Sequence, residues 1–159
     1  MDAITLLVEQ HAELAAAFEA VGVAEEAVRR QRFDELADLL LVHTAVEEQI
    51  FYPACHRDST EAMLYDSLAE HLHARRLLAE LLDEPLDEAW DERLAALRAA
   101  VLEHAEAEES LLLPRVARLL SAERREELGS AMVALAARLR AGHPRGNLAS
   151  QVDSLPALE

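Results

Sequence analysis

A chain of 159 residues with a formal net charge of −16 is repelled by phosphate backbones and anionic lipid, so nucleic-acid and membrane partners are not expected, whereas cations are attracted. Apolar residues make up 52% of the sequence and aromatics 4%, and Ala, Leu, Glu and Arg dominate; these strong helix formers predict one all-α domain, large enough to bury a core without staples. The single Cys55 excludes an internal disulfide or a Cys-based metal cluster, and no apolar run is long enough to cross a bilayer.

Five helices are expected in chain order. The first runs from about residue 2 to 27, with Ile4, Leu7, Val8, Leu14, Phe18 and Val21 at helical spacing. The second, from about 32 to 52, buries Phe33, Leu36, Leu40 and Ile50. Asp58-Ser59-Thr60-Glu61 reads as a capping box for the third, which places Leu64, Leu68, Leu78 and Leu82 on one face and stops at Asp83-Glu84-Pro85. The fourth runs from about 87 to 120, with Leu94, Leu97, Val101 and Leu111 inward. Ser121 caps a shorter fifth helix that ends at Gly142; its Met132, Leu135 and Leu139 pack outside the bundle or against another subunit. Residues 1–120 are thus expected as a four-helix unit, 121–142 as an added helix, and 143–159 as an extended, flexible tail. Pro53 and Pro114, near the ends of helices two and four, are expected to kink or end them. Asp2 and Glu9 stand where a signal peptide would be basic and then apolar, so a cytoplasmic location is expected.

An internal repeat carries the chemistry. Helix two holds His43, Glu47, Glu48 and Pro53; helix four holds His104, Glu108, Glu109 and Pro114 in the same frame. Upstream, Gln10-His11 precedes His43 by 32 residues and Glu70-His71 precedes His104 by 33. The chain reads as a duplicated helical hairpin. On helix two the seam Phe33, Leu36, Leu40, His43, Glu47, Ile50 alternates steps of three and four, and Leu94, Leu97, Val101, His104, Glu108, Leu111 does the same on helix four. His11 lies between Leu7 and Leu14, and His71 between Leu68 and Leu78. All six polar residues therefore occupy core positions, and packing four such helices gathers four imidazoles and two carboxylates into one layer.

Buried carboxylates facing each other are costly, and the sequence contains no Lys to neutralise them. A pair of divalent cations would. Residues at i and i+4 project side by side, so one His and one Glu can share an ion, and two such pairs from facing helices suit a two-metal site. Nitrogen and oxygen donors without sulfur fit iron, manganese or zinc, and spacing alone does not choose among them.

These motifs, over about residues 3 to 120, resemble the His-His-Glu cation-binding domain of hemerythrin-like proteins. The resemblance implies an up-and-down four-helix bundle around a non-haem diiron centre. It further implies His11, His43, His71 and His104 as terminal ligands, Glu47 and Glu108 as bridges, and an oxo or hydroxo group completing the bridge. An open position would face dioxygen, hydrogen peroxide or nitric oxide. The oxygen-carrying members place a second His four residues after the helix-three ligand, where this chain has Arg75, and an Asp five residues after the helix-four His, where it has Glu109. Glu108 is preferred to Glu109 because it repeats Glu47 and keeps the seam. Fewer protein ligands fit reactive or sensing chemistry better than reversible oxygen carriage. Arg75 either pairs with Glu108 or Glu109 or extends to solvent.

Other polar and aromatic residues carry plainer expectations. His56, His73 and His143 have no place in the repeat and read as surface residues. Tyr52 and Trp90 read as ordinary packing ahead of site aromatics, and Glu48 and Glu109 as solvated charge slightly ahead of partners to ligand imidazoles. Cys55 is a candidate oxidant-responsive thiol. Three functions compete: a diiron enzyme or sensor, an iron-binding module that senses or buffers iron without turnover, and a metal-free helical interaction domain.

Overall fold

A computed structural model describes residues 1–153 and 158. Helix one spans Ala3–Val23. Helix two spans Glu26–Val46, passes through a π-turn at Glu47–Phe51, and ends in the helical turn Tyr52–Cys55. Helix three is Glu61–Asp83. Helix four repeats the pattern of helix two: Glu88–Ala107, a π-turn at Glu108–Leu112, then Leu113–Leu119. Helix five is Ala122–Ala141, and a 3-10 helix covers Pro144–Gln151. Helices one to four form the expected bundle, and helix five lies against helices one and two. No strand occurs among the described residues, and no described helix is long and apolar enough to cross a membrane.

Local chemistry explains the helix starts. Asp2 Oδ1 accepts the Ile4 N–H at 2.8 Å, Asp87 Oδ1 the Trp90 N–H at 2.9 Å, and Ser121 Oγ the Arg124 N–H at 3.2 Å, each satisfying a donor that the first turn leaves unpaired. The capping box expected at Asp58–Glu61 does not form. Thr60 stands at the cap, but its hydroxyl turns back to donate to the Cys55 carbonyl at 2.7 Å and to accept the Arg57 N–H at 3.0 Å. It closes the loop instead of capping the helix. Gly142 also departs from the expected left-handed stop: its φ is −100°, and His143 takes the left-handed conformation at φ 57°.

Neither Pro53 nor Pro114 ends its helix. Each follows a π-turn in which the Tyr52 N–H donates to the Glu47 carbonyl, or the Leu113 N–H to the Glu108 carbonyl. The widened turn accommodates a residue that can neither donate to nor pack tightly against the carbonyl four residues back. It also adds one residue to the turn and shifts the inward face. Phe51 and Leu112 are buried where Ile50 and Leu111 were expected, and Leu111 is 60% exposed.

Two apolar clusters result. One contains Leu7, Val46, Phe51, Leu64, Leu68 and Val116 and is covered by Leu128, Met132 and Leu135 of helix five. The other contains Leu14, Phe18, Phe33, Leu36, Leu78, Trp90 and Leu97. Trp90 belongs to this second cluster as packing: it meets Phe33 edge-on at 5.1 Å and donates Nε1–H to the Leu81 carbonyl at 3.0 Å. Within the expected extended tail, residues 144–151 instead form the 3-10 helix, with Leu148 buried in this cluster. The expectation for residues 154–157 and 159 lies outside the described residues.

Helix five meets the N-terminus closely at Gly129, where an added Cβ would overlap the Met1 carbonyl and stand 3.1 Å from the Ala3 nitrogen. Gly129→Ala is expected to cost about 1–3 kcal/mol, as overpacking does, and to lower the calorimetric Tm by several degrees. An unchanged Tm would contradict that close approach.

Candidate metal centre

The polar layer lies between the two apolar clusters. His11, His43, Glu47, His71, His104 and Glu108 are all buried, none more than 8% exposed. The duplicated hairpins bring them together with near-twofold regularity. Glu47 Oε1 lies 3.3 Å from His43 Nε2 and 3.9 Å from His11 Nε2, while its Oε2 lies 2.9 Å from His71 Nε2. Glu108 Oε2 lies 3.3 Å from His11 Nε2 and its Oε1 3.3 Å from His104 Nε2. Each carboxylate thus faces one His pair with one oxygen and the other pair with the other.

Donor atoms of His11, His43 and Glu47 all lie within 4.8 Å of one another, as do those of Glu47, His71 and His104. His11 Nε2, Glu47 Oε1 and Glu108 Oε2 are buried without a hydrogen-bond partner. His11 and Glu108 come within ion-pair distance but are not aligned to bond. Buried polar atoms are nearly always satisfied, so convergent orphans of this kind fit a cation that completes them.

The outward nitrogens are all engaged. His11 Nδ1 lies 2.8 Å from Glu109 Oε1, His43 Nδ1 2.8 Å from Gln10 Oε1, and His71 Nδ1 2.8 Å from Glu48 Oε1. His104 Nδ1 pairs with Glu70. Such partners hold an imidazole in one orientation with its other nitrogen facing inward. Glu48, with a side chain 12% exposed, is thus a partner of an imidazole and not solvated charge, whereas Glu109, 41% exposed, meets both His11 and solvent. The adjacent placement of Gln10-His11 and Glu70-His71 was visible in the sequence, but their partners across the bundle were not.

Tyr52 is the residue that sequence reasoning undervalued. Its hydroxyl donates to Glu108 Oε1 at 2.5 Å, and lies 3.2 Å from Glu47 Oε2, 3.2 Å from His71 Nε2 and 3.4 Å from His104 Nε2. It stands inside the donor set of the second His pair. The corresponding residue of the other repeat is Leu113, so the two halves of the centre differ. The π-turn supplies the reason: it sets Tyr52 one wide turn beyond Glu47, a register that regular helical spacing does not foresee.

Electrostatics follow from the packing. Burial disfavours charge on His11 and His104, but Glu108 with Glu47 at His11, and Glu108 with Glu70 at His104, outweigh it and raise both pKa values to about 10. His43 follows its burial and falls to about 4. Burial likewise opposes the charge on Glu47, yet His43, His11 and His71 hold it well below the usual carboxylate range. Burial, then Glu108 and Glu47, push the Tyr52 phenol well above 10. The raised values favour imidazolium at His11 and His104 beside the carboxylates, a role that a bound cation would take over.

A family model described as the hemerythrin HHE cation binding domain matches residues 2–116. The chain belongs to this hemerythrin family. No curated protein and no solved structure matches it significantly. With the donor groups above, membership makes the bundle a metal-binding module of the hemerythrin type. Outside the centre, His56 pairs with Glu61 at 3.2 Å, and His73 and His143 are exposed. Arg75 reaches neither Glu108 nor Glu109; it is 4% exposed and pairs with Glu48 at 2.6 Å.

Cys55 is buried, and burial pushes its thiol up to about 12. A raised pKa keeps the unreactive protonated form across the neutral and mildly alkaline range. Thiol-reagent labelling of the native protein is therefore expected to be much slower than that of the denatured protein at every pH from 7 to 9. Native labelling as fast as that of the denatured protein would show an accessible thiolate.

Proposed function

We propose that the chain is a non-haem diiron protein that reacts with a small oxidant, dioxygen, hydrogen peroxide or nitric oxide, as a redox enzyme or sensor. The observation that carries this reading is the pair of facing donor sets, each with two imidazoles, shared between the two oxygens of Glu47 and of Glu108. His11 and His43 would hold one ion, His71 and His104 the other, and the two carboxylates would bridge them. Nitrogen and oxygen donors without thiolate suit iron. When bound, iron would supply the one-electron chemistry that these side chains lack.

The protein residues then have definite tasks. Glu109, Gln10, Glu48 and Glu70 orient the imidazoles. Tyr52 supplies a further oxygen donor on the His71–His104 side, or a proton to a molecule there. Two of the spaces that reach the centre bear on access. A cavity of about 20 Å³ touches His11, His43, His71 and His104 and is otherwise closed by Leu14, Leu40 and Val101, which is room for about one water-sized molecule. A cleft of about 110 Å³, bordered by Asp66, Ser67 and Glu70, reaches His104 and Glu108 from the surface. Dioxygen, nitric oxide and hydrogen peroxide are all small enough for these spaces. A lone thiol suits a reducing, cytoplasmic setting, and the net charge of −16 disfavours nucleic-acid and membrane partners.

The closure of that cavity also favours a second reading, in which the site holds iron to sense or buffer it without turnover. Catalytic loss of peroxide at low protein concentration supports the first; metal-dependent melting without turnover supports the second.

The deciding measurement is metal content together with ultraviolet–visible spectra before and after reduction. About two irons per chain, with ligand-to-iron charge-transfer absorption that bleaches on reduction, is the expected result. A folded, colourless protein that neither contains nor takes up iron would overturn the diiron reading.

Four substitutions refine it. His43→Ala and His104→Ala should lower iron content and Tm together, since the ions crosslink the helices. His73→Ala should leave both unchanged; loss of iron from that variant would mean the helix-three register is misassigned. Tyr52→Phe should remove any phenolate-to-iron absorption in the visible while the bundle stays folded, and a spectrum identical to the parent's would exclude Tyr52 as a donor.

A further inference from the structure

Arg75 follows His71 by one helical turn and is 4% exposed. Buried guanidinium groups need partners, and this one has two. Its Nη1 donates to Glu48 Oε1 at 2.6 Å and its Nε to the Gln151 backbone carbonyl at 3.1 Å. The same Glu48 oxygen accepts from His71 Nδ1 at 2.8 Å. A continuous chain therefore runs from the 3-10 helix through Arg75 and Glu48 to an imidazole of the centre.

The far end of that chain is anchored by contacts that do not involve the centre. Leu148 is 4% exposed within the second apolar cluster. Arg145 pairs with Asp34 at 2.9 Å and with Asp38 at 2.8 Å, and Arg76 Nε donates to the Val152 carbonyl at 2.9 Å. The other half of the centre lacks this arrangement. There the position matching Arg75 is Ala15, and Glu109, the partner of His11, has a side chain 41% exposed against 12% for Glu48.

We propose that Arg75 is a positioning residue for His71, and that docking of residues 144–152 against helices two and three holds it in place. The inference rests on the metal-centre reading above. A guanidinium can bind a carboxylate and a carbonyl at once in fixed directions, which an ammonium does not reproduce. Glu48, so fixed, sets the plane and tautomer of His71 and keeps Nε2 turned to the centre. The His71–His104 position thereby depends on a segment that contributes no donor to it, and the His11–His43 position does not.

The test is a cobalt(II) titration of the metal-free full-length protein, followed by d–d absorption, with melting curves recorded with and without cobalt. The parent should bind in two steps. Arg75→Leu should weaken one step by about 10- to 100-fold, the usual effect of losing a partner to a ligand, and leave the other unchanged. Arg75→Lys should restore only part of the loss. Arg145→Ala and Leu148→Ser should weaken the same step by a smaller factor, and Leu148→Ser should add nothing once Arg75 is Leu, as changes on one route do. Arg145→Ala is a surface change, so it keeps the test informative if a core variant fails to fold.

The sign separates positioning from simple charge. If Arg75 acted only by its positive charge, its removal would tighten cobalt binding. Tighter binding, equal weakening of both steps, or no effect of loosening residues 144–152 would each overturn the inference while leaving the metal centre intact. A parent protein that binds no cobalt would overturn both.

Discussion

Everything in this fold is arranged around two carboxylates buried at the middle of a helical bundle. Glu47 is fully buried and Glu108 nearly so, at a depth where an isolated charge is strongly disfavoured. Four imidazoles face them, one from each helix of the bundle, and each imidazole is held from behind by a polar side chain of another helix. The layer is therefore a set of crosslinks between helices as well as a donor set. Apolar clusters close it above and below, which keeps bulk water away and strengthens every interaction within it.

The duplication supplies near-symmetry, and the departures from it supply the character of the centre. Both repeats place a π-turn at the Glu and a Pro just after it, and both bury the first of two consecutive carboxylates. The halves then diverge at three places. Tyr52 faces Leu113 across the pseudo-twofold, Gln10 stands where the other repeat has Glu70, and Ala15 stands where it has Arg75. Each difference concerns the surroundings of the imidazoles, not the imidazoles themselves. Two positions with the same donors thus meet different hydrogen bonds and different charge, which is how a protein makes paired ions unequal.

Helix five and the segment after it complete the bundle from outside. Helix five covers the first apolar cluster with Leu128, Met132 and Leu135, and its approach to the N-terminus is so close that only Gly129 fits. The 3-10 helix does the same for the second cluster through Leu148. Both apolar clusters are thus completed by a part of the chain that carries no donor.

The helical class, the bundle and the six central residues were legible in the sequence, because they follow from spacings of three and four and from a repeat that preserved His, Glu and Pro together. Periodicity decides which face of a helix is buried, and the cost of burying charge decides what must accompany a carboxylate found there. What the sequence did not determine were features that depend on a change of register or on contacts between distant segments. A π-turn adds one residue to a helical turn, so Phe51, Leu112 and Tyr52 take positions that regular spacing assigns to their neighbours. The pairing of Arg75 with Glu48 and the return of residues 144–152 to the bundle depend on which surfaces meet once the helices have packed. Local spacing carries no record of that; only the tertiary structure decides it.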